Sequence, residues 1–291
     1  MMPLNAKKQI RVVRKLQFLN NFLKMAVLQA ESRKTARLAR EPIGFPSKSI
    51  FWILAGIAFL FALWELGSRF FGSQLILPGP LPVLTSFVRL VQTRRFLQAL
   101  GGSLLRVLAG IVIAVPLGAA AGIAAGIDSR VRAFLKPLFS VISATPVMSV
   151  ILIAFLFLGS GRTPVFTAFL MVFPVMAANT IEGIGSTDPK LKELFIAFRM
   201  SRTETLKYLY IPSLVPFILA GLRSSLSLCW KVVVAAEVMV QPLRSLGTGM
   251  QQAKTQLETP ELFAWTAATV IAAASTQGIL SLVIKHRGRI K

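Results

Sequence analysis

Carboxylates, histidine and cysteine are the scarce residues of this chain: 11 Asp and Glu, one histidine and one cysteine in 291 positions. The lone cysteine, Cys229, excludes an intramolecular disulfide and any cysteine metal cluster. The lone histidine, His286, stands near the C-terminus, which excludes the usual histidine-based metal sites and nucleophile–base pairs within the apolar segments. No Gly-rich phosphate loop ending in Lys-Ser or Lys-Thr occurs, so the chain is not expected to bind ATP itself or to carry a catalytic site. No cleavable signal peptide is expected either, because the first 49 residues hold no apolar stretch of the needed length and lead into a full spanning segment.

What is present is apolar and basic. The composition is 54% hydrophobic and 15% charged, with a mean hydropathy of +0.67. A soluble domain of this length could not bury that much apolar surface in one core. The expected fold is therefore an all-α polytopic membrane protein, with lipid as the solvent for much of it. The net charge of +22 would point to nucleic acid in a soluble chain, but the basic residues here cluster between apolar runs. The expected partner is membrane lipid, not nucleic acid.

Hydropathy and helix breakers divide the chain into a basic cytoplasmic tail (1–49), a membrane domain (50–284) and a short basic C-terminal tail (285–291). In the first tail, Ile10, Val13, Leu16, Leu19, Phe22 and Met25 recur every third residue, which fits either a surface amphipathic helix or a partly ordered basic segment. Six spans are expected, at about 50–71, 98–126, 137–158, 164–182, 209–237 and 261–284. Gly110, Ala114, Gly118, Gly122 and Gly126 repeat every four positions on the second, a surface for close helix packing. Pro146 and Pro174 should kink or loosen the third and fourth. Residues 184–208 are polar and too long for a tight connection, so a small helical subdomain is expected there. With both termini inside, 23 of the 33 Lys and Arg fall in internal segments and seven outside. That asymmetry orients the chain in the cell's inner membrane, with cytoplasmic termini.

Charged residues within a bilayer usually face a protein interior or a water-filled route. On the fifth span Arg223, Ser227, Trp230, Lys231 and Glu237 share an arc of about 120° at 100° per residue. This face could line a translocation pathway, with Arg223 and Lys231 offering positive charge to an anion and Glu237 pairing with a base or gating the outer mouth. Equally, the charges could pair across helices, or Arg223 could snorkel to the interface. Arg106, toward the outer end of the second span, is a further pathway candidate or an interfacial anchor.

From about Leu77 onward the sequence resembles the permease subunits of bacterial ABC importers, in the nitrate, sulfonate, taurine and bicarbonate group. The resembling stretches are LPGPLPVL (77–84), GGSLLRVLAG (101–110), PLG (116–118), FPV followed by Asn179-Thr180, Asp188-Pro189, and AGLRSSLSLCWKVVVAAE (220–237). The resemblance implies a Type I importer permease fold and a homodimer or pseudo-dimer of such subunits. It also implies a cytoplasmic ATPase dimer that binds ATP and Mg, and an external or periplasmic solute-binding protein. In that family a cytoplasmic loop reading Glu-Ala-Ala, three residues, Gly, then an Ile-x-Leu-Pro ending docks into the ATPase. Glu193 and Pro212 keep its spacing, while Leu194 and Phe195 replace the alanines, Arg199 replaces the glycine, and Leu209 and Ile211 stand in the apolar positions. The resemblance thus makes Leu191, Glu193, Ala197, Arg199 and Pro212 candidate coupling residues. Two other classes stay open on the residues alone: a secondary transporter or channel without ATP, and a membrane scaffold recruited through the basic tail.

Overall fold

Long apolar runs without water to compete for their backbone groups close their hydrogen bonds internally, and here they form helices. The computed structural model describes residues 47–289 and is all-α over them. Helix α1 spans Ser47–Phe71, α2 Pro80–Val91, α3 Arg94–Ile127, α4 Ser129–Ala144 and α5 Val147–Gly185. Two short helices follow, α6 (Pro189–Ala197) and α7 (Arg202–Thr205), then a π-helical turn (Leu206–Tyr210) that runs into α8 (Ile211–Val240). Helix α9 (Leu246–Thr255) and helix α10 (Thr259–Arg289) complete the chain. The apolar repeat in the N-terminal tail, Ile10 to Met25, lies outside the described residues.

Local chemistry sets these boundaries. Pro80 opens α2 in its first turn after extended Gly79. The Thr93 hydroxyl accepts from the Phe96 N–H to cap α3, and the Asp128 carboxylate accepts from the Arg130 N–H to cap α4. Pro116, Pro137 and Pro174 sit inside their helices without ending them.

Set against the expectation of about six spans, the difference lies in the third. Among the described residues, five helices are long and apolar enough to cross a membrane: Ile50–Phe71, Arg94–Ile127, Val147–Gly185, Arg202–Val240 and Thr259–His286. The stretch expected as the third span, 137–158, is divided. Pro146 confines the residue before it to extended backbone, so α4 stops at Ala144 and Thr145 adopts φ −74°, ψ 127°. Residues 147–158 belong instead to α5, which breaks at Gly159 (φ 68°, ψ 176°), the first residue after that expected span. The polar stretch 184–208 forms the small helical subdomain that its length demands.

The chain divides into two compact units, Met1–Leu63 and Trp64–Lys291. The first, where described, is the N-terminal part of α1. In the second, α5 lies between α3 and α8, and the small residues of α3 are what allow the approach. A Cβ on Gly118 would sit 2.8 Å from the Met176 Cβ, and one on Gly122 would sit 2.7 Å from the Ala177 carbonyl oxygen. The four-residue repeat is thus a packing surface, filled by Val107, Ala114, Val172, Met176 and Val233, all buried. Helix α10 joins through Trp265, fully buried, whose ring lies 5.8 Å from Phe96 and beneath the Arg95 guanidinium at 5.7 Å.

Candidate functional site

The polar arc of α8 does not lie in one environment. Its width of about 120° straddles the edge of the packed core, so its two margins meet different neighbours. Trp230 and Glu237 on one margin are buried, whereas Arg223 and Lys231 on the other are exposed and Ser227 is half-buried between them. The Trp230 indole N–H donates to the Thr276 hydroxyl on α10 at 2.9 Å. Its preceding neighbour, Cys229, packs beside Gly110 and directs its thiol to the Val107 carbonyl.

Glu237 is paired with Arg106. Its carboxylate is fully buried and accepts from the Ser103 hydroxyl at 2.7 Å, the Arg106 guanidinium at 3.0 Å and the Gly247 N–H at 3.3 Å. Arg106 reaches further, donating to the carbonyls of Leu243 (2.9 Å) and Arg244 (3.3 Å). The Ser103 hydroxyl, having donated, also accepts from the Leu246 N–H at 2.9 Å. Every polar group in this knot therefore has a partner, the condition under which a buried ion pair persists. It ties α3, the end of α8, the loop 241–245 and the start of α9 to one another. Glu237 and Arg106, both pathway candidates on sequence, are thus brought together as an ion pair across α3 and α8.

Sequence reasoning named both ions but not Ser103 or the backbone groups that complete the knot. The signal was present in part: Ser103 precedes Arg106 by three residues, which places both on one face of α3. Gly102 is part of the same fit, since a Cβ there would collide with the Arg244 carbonyl.

At the other end of the spanning helices, α6 and α7 form a knob whose turns are capped at each step. The Asp188 carboxylate accepts from the Lys190 N–H at 2.9 Å, with Pro189 in the first turn. Helix α6 ends in a two-bond cap, with Met200 N–H donating to Phe195 O at 3.0 Å and Arg199 N–H to Ile196 O at 2.9 Å. Arg199 occupies the left-handed position of that cap with φ 48°. The turn that a glycine would make without strain is made here by arginine. Ser201 and Glu204 then form a reciprocal capping box that starts α7.

Of the five coupling candidates, Glu193, Ala197, Arg199 and Pro212 are exposed and Leu191 is half-buried. Phe195 and Leu209 anchor the knob, each 2% exposed, while Ile196 is 75% exposed. Both Phe195 and Ile196 escaped the sequence reading as anchor and tip, because spacing alone does not say which apolar residue of a short helix points inward.

Comparison with known proteins places this architecture. The family described as binding-protein-dependent transport system inner membrane component matches residues 114–286. A probable ABC transporter permease protein of Brucella melitensis is 32% identical over 189 residues, covering 65% of this chain and 76% of that protein. The taurine transport system permease protein of Escherichia coli is 28% identical over 257 residues, covering 86% and 92%. The bicarbonate transport system permease protein of Synechococcus elongatus is 28% identical over 234 residues, covering 74% and 83%. Five membrane-length apolar helices, the capped knob and a family match over more than half of the sequence agree, and the chain belongs to the binding-protein-dependent inner membrane components, the permeases of ABC importers.

Proposed function

We propose that two copies of this chain enclose a pathway for a small anionic solute, opened alternately by ATP hydrolysis on a pair of cytoplasmic ATPase subunits. ATP and Mg belong to those partners, and an external binding protein delivers the solute. The relatives that handle taurine and bicarbonate support a solute of the nitrate, sulfonate, taurine or bicarbonate kind. The excess of basic residues in the N-terminal tail, in 184–208 and at the C-terminus supports cytoplasmic termini in the inner membrane. On this reading Arg223, Ser227 and Lys231 face the pathway, while Arg106, Trp230 and Glu237 hold the helices that frame it.

The observation that carries the coupling role is the knob itself. Helix α6 is fixed by caps at both ends and by buried Phe195, and it presents Glu193, Ile196 and Ala197 outward. A rigid element with an apolar tip and a charged flank is what a groove on a partner subunit can grip and move.

The test is co-purification from the native membrane. The wild-type chain is expected to bring down a stoichiometric ATPase, and Ile196→Asp is expected to lose it while the chain stays monodisperse. Recovery of the ATPase in equal yield from Ile196→Asp, or its absence with the wild-type chain, would overturn the reading.

A further inference from the structure

Helix α4 carries a second polar face that the permease reading does not use. At 100° per residue, Ser129, Arg132, Lys136, Ser140 and Ser143 fall within an arc of about 80°. The opposite arc carries Phe134, Leu138 and Val141, which are 78%, 47% and 65% exposed. Both faces are thus open in the folded subunit, one apolar and one polar. In a membrane protein the first meets lipid, and the second requires water or a polar ligand.

The polar face borders a cavity of about 490 Å³ lined by Arg132, Lys136, Phe139, Ser140, Ser143 and, from α5, Ile181. That volume lies in the range of small-molecule sites, roughly 300–1,000 Å³. Its wall is held firmly: Ile142 is buried, and Phe139 packs on Phe173 of α5 with ring centroids 5.6 Å apart. Arg132 is positioned by donating its Nε–H to the Ala125 carbonyl at 3.0 Å and an Nη–H to the Gly126 carbonyl at 3.4 Å. Those carbonyls end α3, so they place the guanidinium without neutralising it. Among the described residues no carboxylate lines the cavity, and the side chains of Lys136, Ser140 and Ser143 make no hydrogen bond. Two cations and two hydroxyls therefore face one space with donors to spare.

We propose that the groove between α4 and α5 is a binding site for an oxyanion group: phosphate, sulfate, sulfonate or carboxylate. Arg132 and Lys136 supply charge-assisted donors one helical turn apart, and the serine hydroxyls supply neutral donors along the groove. The oxyanion reaches it either from solution or as the headgroup of an anionic lipid. The site goes beyond the importer reading, because binding here requires neither ATPase nor transport.

The test uses the full-length chain in two settings. In nanodiscs of neutral phosphatidylcholine, binding of radiolabelled inorganic sulfate is measured by equilibrium dialysis. In detergent, retention of phosphatidylglycerol is measured by native mass spectrometry. Lys136→Gln is expected to weaken one of these by about tenfold, Lys136→Arg to restore it, and Arg162→Gln, the same charge loss on another segment, to leave it unchanged. Loss of sulfate binding identifies a soluble oxyanion; loss of lipid retention alone identifies a headgroup. Neither probe responding to Lys136→Gln, or both responding equally to Arg162→Gln, overturns the site. Transport failing while this binding persists would sink the importer reading and leave the site standing.

Discussion

Three donors converge on the Glu237 carboxylate, and two of them, Ser103 and Arg106, come from more than 130 residues away in sequence. Removing the guanidinium would leave a buried carboxylate without its cation, so Arg106→Met is expected to destabilise the chain by about 3–5 kcal/mol. Thermal unfolding in detergent measures this, and the double variant Arg106→Met with Glu237→Gln should lose clearly less than the two single losses combined. Additive losses would mean that the two side chains act separately. Arg199 offers the opposite sign. Its left-handed backbone costs a side-chain-bearing residue roughly 1–2 kcal/mol, so Arg199→Gly should strengthen the end of α6 by about 1 kcal/mol, seen as slower amide exchange over residues 189–200. Faster exchange would show that the arginine side chain contributes more than its backbone strain takes away.

Each helix shows how far periodicity carries. The four-residue repeat of α3 was legible as a packing surface because small residues on one stripe of a helix have one structural use in lipid, close approach. The surface it meets, Met176, Ala177 and Thr180 of α5, was not legible, since a repeat names no partner. Gly122→Val is expected to force α3 from α5 and destabilise the subunit by about 1–3 kcal/mol, read as a lowered unfolding midpoint in detergent. An unchanged midpoint would place the stripe outside the core. Proline was read less well. Pro146 and Pro174 were expected to act alike, yet Pro146 terminates a helix while Pro174 is buried within α5 without interrupting it. The difference is in the local backbone: Thr145, before Pro146, is extended (φ −74°, ψ 127°), whereas the backbone of α5 stays helical through Pro174.

For the whole molecule, the sequence by itself determined the class of solvent, the approximate positions of the membrane-length helices and the polar subdomain at 184–208. These follow from sums over contiguous residues, hydropathy and charge per segment, which need no knowledge of neighbours. The family resemblance, in turn, named the coupling candidates between Leu191 and Pro212. Tertiary structure alone decided which polar residues are buried and which stay exposed. Arg223, Ser227, Trp230, Lys231 and Glu237 share a helix face, but only packing against α3, α9 and α10 buries Trp230 and Glu237 and leaves Arg223 and Lys231 open. The same holds for the divided third span, where mean hydropathy is blind to a single extended residue at Thr145. Burial and pairing are properties of contacts between distant segments, and a helix read one residue at a time carries its faces but not the surfaces that will cover them.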